Sequence, residues 1–285
     1  MNGDMQDLDA YARFLMMVHA LHPGLTERSI GAARTPDGLT SYEVFGRFVD
    51  PQPLMTVVDL ACGNGPLCEI LANKVGPCGR VIGVDLSRDE LRLAGERLRS
   101  YPNVRLLNEP AAKLSLPDTS ADLVVCHMAF MLFTPLAQTV DEVARILKPG
   151  GLFAAVIPTL RKPTDLFSEC AGALRSILAD EKHALDALSC NSVKMNSVAD
   201  LQQVFAGSGW LQDGISTLDI DVSVAAEPEA LADLVAPAFY HCQLLSDEAR
   251  CRVRLLWTKL FERYMGCDGT VRFDFPLAAF AVKRR

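Results

Sequence analysis

Between Met55 and Ile157, short apolar runs alternate with helical segments, and few architectures accommodate that order. Met55–Leu60, Val81–Val84, Val104–Leu107, Leu123–Cys126 and Leu152–Ile157 lack polar alternation, so each is expected to be a strand covered on both faces. Pro66–Val75 carries proline at its first helical position and ends at Gly76. Ser87 and Glu90 form a capping box that opens a helix over Arg88–Arg99. Thr134-Pro135 starts another helix, which Pro149-Gly150-Gly151 stops. Strands interleaved with helices in this way predict an α/β fold with a mostly parallel sheet between two helical layers.

The flanking segments read as helical caps. Leu8, Tyr11, Ala12, Leu15, Met16 and His19 share one helix face, His22-Pro23-Gly24 breaks that helix, and Pro51-Gln52-Pro53 marks a boundary. The expected organisation is a helical lid over residues 1–50 and a core over 51–285, with helical insertions at about 159–196 and 225–268. Ser197 and Asp200 open a helix that ends at Gly207-Ser208-Gly209, and residues 214–224 and Val271–Val282 read as strands. Val253, Leu256, Trp257, Leu260, Phe261, Tyr264 and Met265 trace one helix face, expected to pack on the core or on a second copy in a homodimer.

Charge and composition remove several function classes. A formal net charge of −7 argues against a protein that grips nucleic acid through its phosphates, and the only basic run is Lys283-Arg284-Arg285. No apolar stretch reaches the roughly 18 residues of a membrane span. The acidic start, Met-Asn-Gly-Asp-Met-Gln-Asp, lacks the basic flank of a secretory leader, so the chain is expected to be cytoplasmic. The nine cysteines include no Cys-x-x-Cys pair, which predicts reduced thiols and no metal; Cys68 and Cys78 are expected to be structural.

Asp59-Leu60-Ala61-Cys62-Gly63-Asn64-Gly65 follows a strand and opens a helix, a setting where backbone passes close to a ligand. A dinucleotide site would read Gly-x-Gly-x-x-Gly; here the third glycine position is Cys68. The acid at position 59 would oppose a pyrophosphate but balance an ammonium group, which disfavours a nicotinamide-dependent oxidoreductase. Asp85 ends the second strand twenty residues past Gly65, the spacing of an acid that accepts hydrogen bonds from ribose hydroxyls.

With these residues the chain resembles the class I S-adenosylmethionine (SAM) dependent methyltransferases, particularly the small-molecule group called methyltransferase type 11. The resemblance covers about residues 54–158, more loosely 197 to 285. It also includes Pro117-Asp118-x-x-x-Asp122 and Glu142-Val143-x-Arg145-x-Leu147-Lys148-Pro149-Gly150-Gly151. It implies a Rossmann-like sheet of seven strands whose last, Val271–Val282, is antiparallel, and SAM as cofactor. It places the methionine part of SAM along Asp59, Ala61, Gly63 and Gly65, and the ribose at Asp85 with Leu86 beside it. The adenine amine falls near Glu109, with Ala111 beside it; separately, the apolar run Cys126, Met128, Phe130 and Met131 after the fourth strand is expected to line the cofactor or acceptor pocket, core packing being the alternative. Ala61 replaces the first motif glycine, and Asn108-Glu109-Pro110-Ala111 alters the usual acid after the third strand.

Methyl transfer is an in-line displacement, so alignment and a dry pocket supply much of the rate and a base helps only when the acceptor loses a proton. His127, at the carboxyl edge of the fourth strand, is the candidate base. Tyr11, His19, Met128, Met131, Tyr240 and Trp257 are candidate acceptor-binding residues, with His22 and Tyr42 further candidates in the lid. Cys126-His127-Met128-Ala129 is not the Asn-Pro-Pro-Tyr of relatives that methylate adenine or glutamine nitrogen, which points to a small, rather hydrophobic metabolite or natural-product acceptor. The competing expectation is a non-catalytic relative that binds SAM and acts through its helical caps.

Overall fold

In the computed structural model, which describes residues 10–158, 163–181, 195, 197–207, 209–211 and 214–285, the strands lie in the order β3-β2-β1-β4-β5-β7-β6. They are β1 (Thr56–Leu60), β2 (Arg80–Val84), β3 (Val104–Leu107), β4 (Ala121–His127), β5 (Leu147–Pro158), β6 (Ser216–Ala226) and β7 (Val271–Lys283). The first five pair in parallel, and β7 runs antiparallel between β5 and β6. Strand order reverses between β1 and β4, and the carboxyl edge there is where open α/β sheets bind ligands.

Two-residue periodicity sorts the strand residues between the two faces. Val57, Val81, Leu123, Val125, Ala154 and Val156 point into one core. That face packs α3 (Ser41–Val49), α4 (Pro66–Val75), α5 (Arg88–Arg97), α7 (Asp165–Asp180), α9 (Pro228–Val235) and α10 (Asp247–Glu262). Val58, Leu60, Val124, Cys126, Phe153 and Ala155 point the other way, toward α6 (Leu136–Ile146) and α8 (Val198–Val204). There Phe130, Phe153, Phe205, Trp210 and Phe280 meet ring to ring. The amino-terminal helices α1 (Ala10–Leu21) and α2 (Leu25–Arg28) lie over the carboxyl edge, with α1 against α5.

Several sequence expectations need correction. β5 begins at Leu147, not Leu152: Pro149-Gly150-Gly151 does not interrupt the strand but sits at its irregular start, where the β4 register shifts between Ala121 and Leu123. The capping box at Ser87 is half formed. Ser87 Oγ accepts from the Glu90 amide at 3.3 Å, but the Ser87 amide donates to Asp85, leaving the Glu90 carboxylate for another purpose. In α10, Val253, Trp257, Leu260 and Phe261 are buried in the chain's own core while Leu256 faces outward, and Tyr264 and Met265, past the end of the helix, are exposed, so the stripe is narrower and shorter than its spacing suggested. Cys78 is exposed and has no packing role, whereas Cys68 is buried. Much of the 159–196 insertion lies outside the described residues.

Candidate active site

The chain turns sharply where β1 meets α4. Ala61, Gly63 and Gly65 all have positive φ, at 55°, 54° and 84°. Gly65 does not line the cleft; it opens α4, and a Cβ there would come within 2.9 Å of Leu98 Cδ1. Ala61 holds the left-handed conformation although it carries a side chain, at a cost of about 1–2 kcal/mol.

Three carboxylates surround this turn. Asp59, 1% exposed, accepts from Cys68 Sγ at 3.2 Å, and burial pushes its pKa up to about 7. Asp85 accepts the Gly63 amide on Oδ2 and the Ser87 amide on Oδ1, each at 2.8 Å, so one carboxylate ties the loop to the end of β2. Loss of water raises its pKa, and those two amides pull it back down. Glu90 is 2% exposed; its Oε1 takes both His19 Nδ1 and the Gly24 amide at 2.8 Å, and its buried Oε2 has no partner among the described residues.

These residues line the middle of a continuous cleft. One end is bounded by Leu86, Glu109, Pro110, Ala111, Phe133 and Met16, and shares His19, Ala61 and Asp85 with the middle section. At the other end, Met128, Leu132, Thr26 and Tyr240 lead into a further, largely apolar chamber. Its walls are Ile30, Met131, Pro237, Ala238 and Phe239 among others, and among the described residues its lining includes no Asp, Glu, Lys or Arg.

The roof comes from the amino-terminal helices. Glu27 on α2 accepts from Arg97 at 2.7 Å on both oxygens and from Asn64 Nδ2 at 2.5 Å. Thr26 Oγ1 and the Tyr240 hydroxyl share a 2.8 Å hydrogen bond across the cleft. Gly24 has φ 73° and lies so close to Asn64 that a Cβ would come to 3.2 Å of its side-chain nitrogen.

His127 closes the inner wall of the middle section. Its Nε2 is 3.0 Å from Ser41 Oγ, its ring stacks on Tyr42 at 4.0 Å, and its buried Nδ1 has no partner among the described residues. Burial drops its pKa to about 3, which keeps the imidazole neutral but makes it a poor base, since bases work best with a pKa near the working pH.

Of the sequence-predicted residues, Asp59, Ala61, Gly63, Asp85, Leu86, Glu109, Ala111, His19, His127, Met128, Met131 and Tyr240 come together along this cleft. Glu109 spends Oε2 on the Ser115 amide at 2.8 Å. Cys126 does not join them: it is fully buried on the opposite face of the sheet. Trp257 is also elsewhere, wholly buried behind α7 with its indole N–H on the Cys170 carbonyl at 3.1 Å. His22 is exposed outside the cleft, and the Tyr11 side chain lies outside the described residues. Sequence reasoning missed Thr26, Glu27 and Glu90. The first two sit in a short helix with no long periodic signal, and Glu90 looked complete as a helix cap.

Residues 58–155 match the family model described as Methyltransferase domain. Residues 58–155 are a methyltransferase domain. The chain is thus a SAM-dependent methyltransferase in class, and the nicotinamide reading falls away. A demethylmenaquinone methyltransferase from Desulfitobacterium hafniense is 29% identical over 173 residues, covering 56% of this chain and 68% of the relative. A putative methyltransferase from Bacillus halodurans superposes with a TM-score of 0.56 at 16% identity, covering 84% of this chain and 97% of that one. Phosphoethanolamine N-methyltransferase 2 from Haemonchus contortus does so at 0.59 and 16% identity, over 97% of this chain and 60% of that one. At such identities the structures show the shared fold alone.

The site's chemistry suits SAM on its own terms. At Gly63 a Cβ would meet nothing nearer than Glu90 Oε2 at 3.9 Å, so the backbone there leaves room for a ligand; Asp85 faces the cleft at the end of β2, and the Glu90 oxygen without a partner among the described residues is a buried acceptor beside it. Among the described residues no helix is long and apolar enough to cross a membrane, and no cluster of His, Cys, Asp and Glu could hold a metal ion.

Proposed function

We propose that this chain methylates a small, uncharged and largely apolar acceptor held in the chamber between Met131 and Phe239. The observation that carries this reading is the continuity of the cleft, from Asp85 past Ala61 and Gly63 to a chamber that none of the described residues lines with an acid, a lysine or an arginine. When bound, SAM supplies a methyl group whose bond to a positively charged sulfur breaks with both electrons going to sulfur. Asp85 would hold the ribose hydroxyls, Leu86, Glu109 and Ala111 the adenine, and Ala61 and Gly63 the methionine portion. Asp59 and Glu90 give the middle section the negative charge that a ligand bearing ammonium and sulfonium groups requires.

An ionised acceptor would lose hydration in the chamber with no countercharge from the described walls, so these walls select against phosphates and amines. The demethylmenaquinone named for the Desulfitobacterium relative is an acceptor of the apolar type that such walls suit. His127, neutral at any physiological pH, serves as a fixed hydrogen-bonding wall where the two sections join. Residues 10–49 act as the lid, held down by Glu27 on Asn64 and Arg97, and exclude water from the reacting groups.

The test is turnover of SAM with two matched sets of compounds, alkylphenols and naphthols against their phosphorylated or aminated counterparts, following S-adenosylhomocysteine release. Methylation confined to the uncharged set supports the proposal. Preference for the charged set would overturn it.

A further inference from the structure

Glu90, His19 and Tyr240 stand in a line across the junction of the cofactor and acceptor sections, and nothing in the proposed reading uses them together. Glu90 Oε1 is 2.8 Å from His19 Nδ1, and His19 Nε2 is 3.5 Å from the Tyr240 hydroxyl, which in turn meets Thr26 Oγ1 at 2.8 Å. The carboxylate accepts, so His19 must carry a proton on Nδ1; Nε2 is left as a lone pair directed into the cleft. The buried member is the acid, at 2% exposure, while the His19 side chain keeps 21%. This is the arrangement of a base oriented by a third group, in which the acid fixes the tautomer and offsets the imidazolium that forms.

The groups facing His19 favour a transient positive charge there. Glu90 contacts it from α5, Asp85 lies at the end of β2, and Glu27 stands across the cleft from α2 with Arg97 paired to it. His127 shows the opposite environment, with no carboxylate partner and a pKa driven low by burial.

Resting on the methyl-transfer reading, we infer that the acceptor carries a weakly acidic hydroxyl, phenolic or enolic, and that His19, held by Glu90, removes its proton. The O–H bond breaks with its electron pair staying on the acceptor oxygen, and that pair, directly or through the conjugated carbon beside it, makes the new bond to the methyl group. The proton passes to His19 Nε2 and leaves to solvent through the exposed edge of the ring. The long Tyr240 contact is the one that the acceptor oxygen replaces, with the Tyr240 and Thr26 hydroxyls left to orient it.

The tautomer can be read without any acceptor, by nitrogen NMR of the full chain labelled at histidine and saturated with S-adenosylhomocysteine, with His19→Asn identifying the signal. The expected result is a proton fixed on Nδ1 in the parent and loss of that bias in Glu90→Gln. A proton on Nε2, or a tautomer indifferent to Glu90→Gln, would overturn the inference. With a naphthol or alkylphenol turned over by the parent, His19→Asn should lower kcat by about 100-fold with S-adenosylhomocysteine affinity retained. Unchanged kcat would overturn the base role. Failure of the parent to methylate any hydroxyl compound while it binds S-adenosylhomocysteine counts against the methyl-transfer reading instead, and the NMR result still decides the Glu90–His19 pair.

Discussion

Replacing Asp85 by alanine should weaken S-adenosylhomocysteine binding by about two orders of magnitude. The carboxylate already accepts the Gly63 and Ser87 amides, one on each oxygen, and each oxygen keeps a second lone pair for a ribose hydroxyl. Hydrogen bonds to a charged group contribute about 1.5–3 kcal/mol each, so the loss of two at the low end is about 3 kcal/mol. At about 1.4 kcal/mol per tenfold, this raises Kd by roughly 150-fold. Asp85→Asn should fall between alanine and the parent. It keeps one acceptor oxygen, but its NH₂ must face either the Gly63 or the Ser87 N–H. Isothermal calorimetry measures Kd directly, and S-adenosylhomocysteine separates binding from turnover. Thermal unfolding of the unliganded variants controls for damage to the loop. An Asp85→Ala protein that unfolds at the parent temperature and binds within about threefold of the parent would refute the assignment, because a difference under about 0.7 kcal/mol is too small for a lost pair of charged hydrogen bonds.

Other consequences follow from the same geometry. Asp59, with its pKa near 7, is half protonated at neutral pH, and a cationic ligand favours its carboxylate. SAM binding should therefore release up to about half a proton at pH 7 and tighten as pH rises from 6 to 8; calorimetry in buffers of different ionisation enthalpy reads the proton, and Asp59→Asn should abolish its release. Because that pKa is raised on folding, the native state binds the extra proton, so this group's stabilisation is fully present below about pH 4 and lost as pH climbs toward 7, visible as a falling Tm of the unliganded parent relative to Asp59→Asn. Ala61→Gly relieves a positive φ while loosening the unfolded chain, and should leave urea stability unchanged or higher by up to about 1 kcal/mol; a clear loss would refute the strain argument. Trp257→Phe removes the indole N–H bond to the Cys170 carbonyl, which α7 still engages within the helix, and should cost about 0.5–1.5 kcal/mol of stability with no change in S-adenosylhomocysteine Kd, since Trp257 lines none of the cleft.

The part of the cleft built on the ends of β1 and β2 was legible because local rules place it. Asp59, Ala61, Gly63 and Asp85 sit where strands end, and a strand end at the point of order reversal has a known address in the fold. Helix Pro66–Val75 was bounded by its own proline and glycine and appears over those same residues. Elsewhere the same rules gave only half the answer. Apolar character alone put Cys126 with the cofactor; a two-residue period assigns it to the far face once the register of β4 against β1 and β5 is known. Trp257 was an aromatic in a capping helix, and only its packing against Phe239 and Cys170 shows that it belongs to the core.

What the chain order determined by itself is the parallel sheet, the loop that turns out of β1 and the acid that closes β2, since all three depend on short-range spacing and on which runs are apolar. What only the tertiary structure decided is who meets whom over that edge. His19 and Glu90 are 71 positions apart, Thr26 and Tyr240 are 214 apart, and their hydrogen bonds exist because α1 and α2 fold back over the carboxyl ends of the strands. No periodicity encodes such a meeting. A buried carboxylate with one oxygen already engaged reveals its purpose only when its neighbours from distant segments are in place.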